Sequence, residues 1–397
     1  MNILLLNAGS SSLKATVMDA DSGAVIASGL ADWAGAVTRF EVMLPGGKLI
    51  SGEVSWRGHA PAVRQFIQKA QIPDIVAVGH RVVHGGPFTS AARITPEVRS
   101  RLTALADLAP LHNPPSLEAL ATAESLLPNV PHVAVFDTAF HATLSPEAYT
   151  YPVPRSWTRD WGIRRYGFHG LSHAYCARRA AEMLGNRSEE LRLVICHLGH
   201  GCSAAAVRGG KSVDTTMGFT PLDGLMMATR SGAIDPSIVL HVQQHHGMTA
   251  AHVESALNRE SGLLGVSGVS ADMREVLSAA KAGNEQAELA LGIYARRVRQ
   301  AIGAFAVTMG GIDAVVFTAG VGEHSAEVRA SICAGLECLG IELSVQANLA
   351  CRPDADIAGP ASRARILVIA TREDVTMFRE VHETLFASPA KVGVDKG

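Results

Sequence analysis

The chain has 397 residues, of which 47% are hydrophobic and 18% are charged. A chain of this length and composition can bury large cores, and we expect two or three globular domains. Its 35 basic and 37 acidic residues include no run of lysine or arginine. This balance excludes an electrostatic footprint for nucleic acid or for an anionic membrane, and neither is an expected partner.

The chain begins with a short apolar segment, residues 3–6, without positive charge before it. This predicts a first β-strand rather than a signal peptide, and a cytoplasmic protein. The uncharged apolar stretch at residues 300–312 is too short to cross a bilayer.

Two similar segments lie about half a chain apart. Residues 3–18 and 193–207 each contain an apolar strand, a tight turn of small residues and a second strand. Gly9 and Gly199 in these turns are expected to adopt backbone angles closed to other residues, and their small neighbours leave backbone N–H groups accessible to phosphate. The repeat predicts a duplicated, phosphate-binding fold; two solvent-exposed hairpins are the alternative.

Strand and helix patterns alternate along the rest of the chain, which predicts an α/β fold. Helices are predicted at 96–108, after Thr95, and at 284–307, which Asn284 caps. Further strands are predicted at 75–78, 132–136, 313–318 and 365–369.

Three prolines between residues 145 and 155 mark the predicted crossing between the two halves. We expect an N-terminal domain at 1–148, completed by a C-terminal helix at 375–397. The second domain is expected at 149–374.

The six cysteines all follow residue 175, and their spacing shows no disulfide framework. We expect reduced packing residues. Zinc is an alternative, because thiolates and imidazoles are zinc ligands. The relevant residues are Cys196, His197, His200 and Cys202, with His169, His173 and Cys176 upstream. Neighbours on a tight strand reversal point to opposite faces, which disfavours a tetrahedral site.

Five segments at strand ends or in loops contain a cation or histidine, and all of them except 136–141 also contain glycine or proline. They are residues 79–86, 111–115, 136–141, 165–170 and 228–232. Phosphoryl transfer needs preorganised positive charge, because its transition state spreads negative charge over three oxygens. Neither G-x-x-x-x-G-K-[ST] nor G-x-G-x-x-G occurs, so any nucleotide uses another scaffold. The alternative is that Arg81 and Arg230 form surface ion pairs and His169 is a core histidine.

A glycine-containing loop is predicted at 317–325, between an apolar strand and a helix that Ser325 caps. Glycines at such a position admit a flat or anionic ligand to the helix N-terminus.

Together these segments resemble the acetate kinase family, in order and over nearly the whole chain. The matching motifs are residues 7–14, 79–86, 136–141, 166–170, 214–221 and 317–320. The resemblance implies a homodimer with a duplicated actin-like ATPase (ribonuclease H-like) fold, and two domains around a cleft. The implied reaction is phosphoryl transfer from ATP to acetate with Mg²⁺, for which Mn²⁺ can substitute, giving acetyl phosphate and ADP.

The resemblance also assigns the reactive groups. Asp137 would be the acid/base residue, and His169 and Arg230 would stabilise the transition state. Acetate is already a nucleophile at neutral pH, so we expect Asp137 to orient another group rather than take a proton. The other implied assignments are Arg81 for the substrate carboxylate, and Asn7 and Glu373 for the metal.

By the same resemblance, a small apolar pocket formed by Val83, Leu111, Phe168 and Pro221 takes the methyl group. One extra methylene changes discrimination by only ~1–3 kcal/mol, so propionate or butyrate is an alternative acceptor. The implied nucleotide-binding residues are Ser12, Lys14, His197, Leu198, Gly199, His200, Gly201, Asp272, Met273, Arg274, Gly320, Val321, Gly322, Glu323 and His324.

Four positions differ from the family pattern. His200 and His324 stand where asparagine is usual, Arg372 also replaces an asparagine, and Ala233 replaces an acidic residue. These differences concern nucleotide affinity and rate more than the type of reaction. Two other function classes are a non-catalytic actin-like nucleotide-binding module, which has no need for Arg81, His169 and Arg230 together, and a zinc hydrolase.

Overall fold

A computed structural model describes residues 1–105 and 113–386. Contacts group them into two compact units: Met1–Ala139 with the last helix, which begins at Glu373, and Phe140–Arg372. The domain limits predicted from the sequence, 148 and 374, lie close to these limits without coinciding with them. Within the described ranges, no helix is long and apolar enough to cross a membrane.

The first unit contains one sheet, with eight strands among the described residues. They are β1 (Asn2–Ala8), β2 (Ser12–Asp19), β3 (Val25–Asp32), β4 (Thr38–Met43), β5 (Leu49–Val54), β6 (Ile75–Val82), β7 (Ala92–Arg93) and β8 (His132–Phe136). Their order across the sheet is β5-β4-β3-β2-β1-β6-β8-β7.

The second unit contains a sheet of six strands in the part of the chain that is described. They are β9 (Arg192–Leu198), β10 (Cys202–Arg208), β11 (Lys211–Thr215), β12 (Ala314–Thr318), β13 (Ala355–Asp356) and β14 (Arg365–Val368). Their order is β11-β10-β9-β12-β14-β13.

The centres of the two sheets repeat one topology. In the first, β1, β2 and β3 are antiparallel neighbours, while β6 and then β8 add parallel to β1. In the second, β9, β10 and β11 are antiparallel neighbours, while β12 and then β14 add parallel to β9. Antiparallel pairs need only a tight turn, whereas parallel pairs need a long crossover. The predicted α/β fold with an internal duplication is confirmed.

Helices flank the sheets. They are α1 (His59–Ala70), α2 (Pro96–Ala104), α3 (Asn113–Leu126), α4 (Pro146–Tyr149), α5 (Arg155–Trp161), α6 (Gly170–Leu184), α7 (Pro236–His246), α8 (Ala250–Arg259), α9 (Gly262–Ser267), α10 (Met273–Lys281), α11 (Glu285–Thr308), α12 (Ala319–His324), α13 (Ala326–Cys333), α14 (Val345–Leu349) and α15 (Glu373–Phe386). The predicted caps of α2 and α11 are present, because Thr95 accepts from Val98 N and Asn284 accepts from Ala287 N. However, α2 ends at Ala104, and residues 106–108 of the predicted helix lie outside the described residues.

Two local predictions were wrong. Neither Gly9 nor Gly199 adopts a left-handed φ. Gly9 is instead constrained by space, because a Cβ there would lie 2.9 Å from Ser12 Oγ. The predicted glycine loop is mostly the short helix α12, whose first residue, Ala319, donates its N–H to Thr371 Oγ1 at 3.0 Å. This distant contact is invisible in the local sequence. Ser325 caps the next helix, α13, as predicted.

In the first unit the two faces of the sheet carry different helices. Leu4, Leu6 and Val78 pack with α1 and α3 in one core. Alternate strand residues point to the opposite face, where Gly79 meets α15. A Cβ on Gly79 would lie 2.6 Å from Cγ2 of Val381. The helix that begins at Glu373 therefore packs directly against the backbone of β6.

Candidate active site

Four predicted residues of the first unit meet around the Arg81 guanidinium group. Its Nε and Nη2 donate to Oδ1 and Oδ2 of Asp137 at 2.8 and 2.6 Å. Its Nη1 donates to Asn7 Oδ1 at 2.9 Å and lies 3.7 Å from Glu373 Oε2. Asn7 Nδ2 in turn donates to Glu373 Oε2 at 2.8 Å. The predicted carboxylate-binding and metal-binding groups thus form one connected cluster, which we call the Arg81 cluster.

The fold explains why these distant residues meet. Asn7 and Arg81 lie near the carboxyl ends of β1 and β6, and Asp137 directly follows β8. These three strands are adjacent and parallel, so their carboxyl ends share one edge of the sheet, where ligands of open α/β sheets bind. Glu373 begins α15, which covers the face shared by Gly79 and Arg81.

The Arg81 cluster is nearly closed to solvent. The Asp137 side chain is 1% exposed and the Arg81 side chain 15%. Burial alone would lower the pKa of Arg81, but the Asp137 and Glu373 carboxylates outweigh it and raise that pKa above its ordinary value. Because both carboxylate oxygens of Asp137 accept bonds from one guanidinium group, the pair holds Arg81 in a fixed plane. This geometry suits Asp137 to orienting Arg81.

In the second unit, two histidines stack with their ring centroids 4.1 Å apart, His169 before α6 and His197 on β9. Each holds a serine hydroxyl at Nδ1: Ser203 Oγ lies 2.9 Å from His169, and Ser172 Oγ lies 2.8 Å from His197. His169 has a φ of 58°, which is uncommon outside glycine and is often retained where a side chain must be aimed.

The loop after β9 passes close to two predicted transition-state groups. A Cβ on Gly201 would lie 3.4 Å from His169 Nε2 and 3.7 Å from Arg230 Nη1. Arg230 Nη1 donates to the Pro221 carbonyl at 3.2 Å, which ties it to the loop predicted to contact substrate. Burial lowers the pKa of Arg230 from its ordinary value. The structure therefore brings His169, His197, Gly201 and Arg230 together.

A cavity of about 1210 Å³ in the second unit contains eight of the predicted nucleotide-binding residues. They are Gly199, His200, Asp272, Met273, Arg274, Gly320, Val321 and His324. Two other lining residues, Ala228 and Ser325, belong to candidate segments that the sequence indicated. The sequence did not indicate the rest, which are Leu263, Ser270, Ala271, Leu277, Ser278, Lys281, Ala326, Glu327 and Leu349. Apolar walls with a few convergent polar groups are typical of a cofactor-sized site.

Charged side chains of this cavity are internally paired. Arg274 donates to both oxygens of Asp272, and this bond lowers the pKa of Asp272 to about 2. Lys281 of α10 donates to Glu327 of α13. Burial, followed by the Arg230 cation, lowers the pKa of His200 below its ordinary value. His200 is consequently neutral at pH 7 in the protein without nucleotide.

Several predicted nucleotide-binding residues do not line the cavity. Leu198 and Gly322 are buried, and Glu323 accepts from the Thr371 N–H at 2.8 Å. Arg329, itself buried, donates to the carbonyls of Gly322 and Glu323. These contacts indicate that the side chains of Glu323 and Arg329 stabilise the chain segment beside the cavity. In the first unit, Ser12 lies beside Gly9 and Lys14 is exposed on β2.

The predicted methyl pocket is described only in parts. Val83 is 5% exposed in the first unit, and Phe168 is 1% exposed in the second. Pro221 also belongs to the second unit. Leu111 lies outside the described residues.

No group of three or more histidine, cysteine, aspartate or glutamate side chains converges on a metal position within residues 1–105 and 113–386. Burial raises the pKa of the Cys202 thiol to about 11, and its sulfur contacts Tyr294 Oη at 3.2 Å. Burial also raises the pKa of Cys196. Both thiols are therefore protonated at neutral pH in the protein without a bound metal.

One buried histidine near the first hairpin was missed. His59, which is 4% exposed, has Nε2 2.7 Å from the Gly9 carbonyl and packs edge-on against Trp33. The contact fixes the turn that the sequence identified as phosphate-binding. Fifty residues separate the partners, so no local motif could have revealed it.

Comparison with known proteins places these clusters in context. The family model described as the acetokinase family matches residues 2–379. An acetate kinase of Carboxydothermus hydrogenoformans is 45% identical over 394 residues, covering 96% of this chain and 99% of the relative. The structure of an acetate kinase from Porphyromonas gingivalis is similar with a TM-score of 0.88 and 38% identity, over 97% and 99% of the two chains. A propionate kinase from Francisella tularensis is similar with a TM-score of 0.89 and 36% identity, over 96% and 99%.

Proposed function

The chain belongs to the acetokinase family, and we propose that it transfers the γ-phosphoryl group of ATP to acetate, giving acetyl phosphate and ADP. The family, the duplicated fold and the class of enzyme predicted from the motifs, a kinase with a carboxyl acceptor, are confirmed by the comparisons.

The observation that carries the assignment to this site is the geometry of the Arg81 cluster. An arginine has five N–H donors, and the three bonds to Asp137 and Asn7 engage three of them. The remaining donors suit a substrate carboxylate, because a guanidinium fork matches the spacing of two carboxylate oxygens. The carboxylate of Asp137 holds the guanidinium group of Arg81 in place through two hydrogen bonds.

In the proposed reaction, an acetate oxygen forms a bond to the γ-phosphorus as the bond to the β–γ bridging oxygen breaks. ADP leaves with the bonding electron pair, and no proton needs to be removed from acetate. Asp137 therefore orients Arg81 instead of acting as a base. His169 and Arg230 donate to the transferring phosphoryl group, where negative charge is spread over three oxygens.

Asn7 and Glu373 supply an amide oxygen and a carboxylate, which suit Mg²⁺ because this ion prefers oxygen ligands. Mg²⁺ commonly takes only one or two protein carboxylates when nucleotide phosphates complete its ligands. We propose these residues as the protein side of the Mg²⁺ site, with Mn²⁺ as a substitute. When bound, the ion neutralises charge on the β- and γ-phosphate oxygens.

A homodimer in the cytoplasm is part of the same proposal. The helix α7 supports the dimer, because it has no buried residue yet carries Ile238 and Leu240, which are 48% and 56% exposed. Apolar side chains grouped on one exposed element favour a protein partner. Size-exclusion chromatography with light scattering is expected to give a molar mass twice that of the chain. Leu240→Asp is expected to lower this mass toward that of the monomer.

The decisive experiment incubates the purified protein with Mg-ATP and acetate and traps acetyl phosphate with hydroxylamine. Propionate and butyrate are compared by kcat/KM in the same assay, with acetate expected to be preferred. ATP binding without formation of an acyl phosphate from any of the three acids would instead indicate a non-catalytic nucleotide-binding module.

A further inference from the structure

A serine in the second unit bridges His169 to a second, fully buried histidine. Ser203 Oγ lies 2.9 Å from His169 Nδ1 and 2.8 Å from His173 Nε2. His169 immediately precedes α6, and its carbonyl accepts from the N–H of His173 in the first turn at 2.9 Å. Ser203 on β10 lies between the two rings. Ser203 and His173 are both 0% exposed. A hydroxyl has one proton to donate, so it can donate to only one of the two rings.

The other nitrogen of His173 decides the direction of these bonds. His173 Nδ1 is buried and has no hydrogen-bond partner among the residues that the structure describes. Burial, followed by the neighbouring His141 and His197, lowers the pKa of His173 well below its ordinary value, so this ring is neutral at pH 7. If its proton were on Nδ1, an N–H donor would be buried without a partner, which is rarer in proteins than an unpaired acceptor. His173 thus carries its proton on Nε2 and donates it to Ser203.

The hydroxyl of Ser203 then donates its own proton to His169 Nδ1. A ring that accepts at Nδ1 carries its proton on Nε2 when neutral. The Nε2 atom is the one beside Gly201, where the loop after β9 also approaches Arg230. The chain of donors therefore runs from His173 through Ser203 to His169 and ends in an N–H directed at that loop.

We propose that Ser203 and His173 are positioning residues that hold His169 as the Nε2–H tautomer, so that it can donate to the transferring phosphoryl group. This inference rests on the proposed role of His169 in phosphoryl transfer. The opposite tautomer would present a nitrogen lone pair to phosphate oxygens and repel them.

The tautomer is measured directly by nitrogen NMR of the full protein with ¹⁵N-labelled histidine, without substrates. The His169 signals are assigned from their absence in His169→Gln. In the parent protein, Nε2 is expected to be protonated and Nδ1 to be a hydrogen-bonded acceptor. In Ser203→Ala, the ring is expected to populate both tautomers, because the bond that distinguishes its two nitrogens is gone.

Kinetics provide the second measurement. Ser203→Ala is expected to lower kcat about tenfold while the KM for ATP stays within about twofold, the pattern for an interaction made mainly in the transition state. His173→Gln keeps an N–H donor and is expected to retain more of kcat than His173→Leu, which removes it. Ser203→Thr keeps the hydroxyl and is expected to restore the parent tautomer.

The matched control is Ser212→Ala. Ser212 is also buried, and its Oγ lies 2.8 Å from His141 Nδ1 in the same group of histidines. This variant loses a similar bond, so it is expected to leave the His169 signals and kcat unchanged.

Protonation of His169 Nδ1 in the parent, as either the opposite tautomer or the imidazolium ion, would overturn the proposal. So would a Ser203→Ala protein with parent tautomer and kcat. Because the NMR measurement needs no substrate, it is independent of the acyl phosphate assay. Failure of that assay with the expected tautomer present would reject the proposed function and leave the donor chain established.

Discussion

Replacing Arg81 tests whether its pairing with Asp137 is structural, catalytic or both. Arg81→Ala removes two bonds to a carboxylate that is 1% exposed, and it leaves that charge without its cation. Breaking a buried ion pair from one side typically costs about 3–5 kcal/mol, because the remaining charge is neither solvated nor paired. We expect a loss of this size in the free energy of unfolding.

The catalytic loss is predicted separately. Arg81 is proposed to hold the acetate carboxylate, and removal of one preorganised electrostatic group lowers kcat/KM on the order of 10²-fold or more. The double variant Arg81→Ala/Asp137→Asn removes the charge of Asp137 as well. It is therefore expected to recover part of the lost stability while kcat/KM stays low. Recovery of one property without the other distinguishes the two roles.

Denaturant unfolding followed by circular dichroism measures stability, and the hydroxylamine assay measures kcat/KM. The matched control in the same unit is Arg39→Ala. Its pair with Glu53 is 79% and 59% exposed, and exposed pairs contribute only about 0–1 kcal/mol. An Arg81→Ala protein as stable as Arg39→Ala would refute the buried pair. Parent activity in the folded double variant would show that Arg81 serves only to neutralise Asp137.

Three further outcomes test other parts of the site. Activity is expected to require Mg²⁺ and to survive a zinc-selective chelator; activity lost to that chelator and restored by zinc alone would contradict this. Val83→Ala is expected to raise the propionate-to-acetate ratio of kcat/KM. The expected change in discrimination between the two acids is that of one methylene group, ~1–3 kcal/mol, and an unchanged ratio would exclude Val83 from the acyl pocket. The Kd for Mg-ATP is expected to rise between about pH 6 and pH 8 more steeply in the parent than in His200→Asn. Nucleotide phosphates favour protonated His200, so binding is tightest below the pKa of the free protein and weakens as pH rises through that of the complex; parallel calorimetric profiles would exclude a charged His200.

Much of the fold could be predicted because it is encoded locally. Each hairpin begins with an apolar strand and turns at small residues, and the two copies could be compared with each other. The caps Thr95 and Asn284 were recognisable because a helix start needs an acceptor for its unpaired N–H groups. The strand at 132–136 matches β8 in both limits, because valine and phenylalanine in this short apolar run favour a strand.

The candidate site was only partly predictable, because its critical contacts join distant residues. The sequence identified Arg81 and Asp137 as site residues. It could not show that both carboxylate oxygens of Asp137 bind the guanidinium group of Arg81, which is 56 positions away in the sequence. The spacing of His169 and His173 was visible, yet the role of Ser203 depends on its contacts with both histidines across 34 and 30 positions of the sequence. The sequence gives the identity of these side chains, but the direction in which each one points depends on the tertiary fold.

The two predicted site arginines, one in each unit, differ in how far the protein stabilises their charge. Asp137 and Glu373 raise the pKa of Arg81, so that cation is stabilised by the protein itself before any ligand arrives. Burial lowers the pKa of Arg230, and the desolvation of its charge is therefore only partly compensated in the protein alone. Negative charge brought by a polyphosphate would offset that desolvation, and more so as charge builds on the transferring group. In the proposed reaction, Arg81 would hold the ground-state carboxylate, whereas Arg230 would gain most in the transition state, which is where added stabilisation raises kcat.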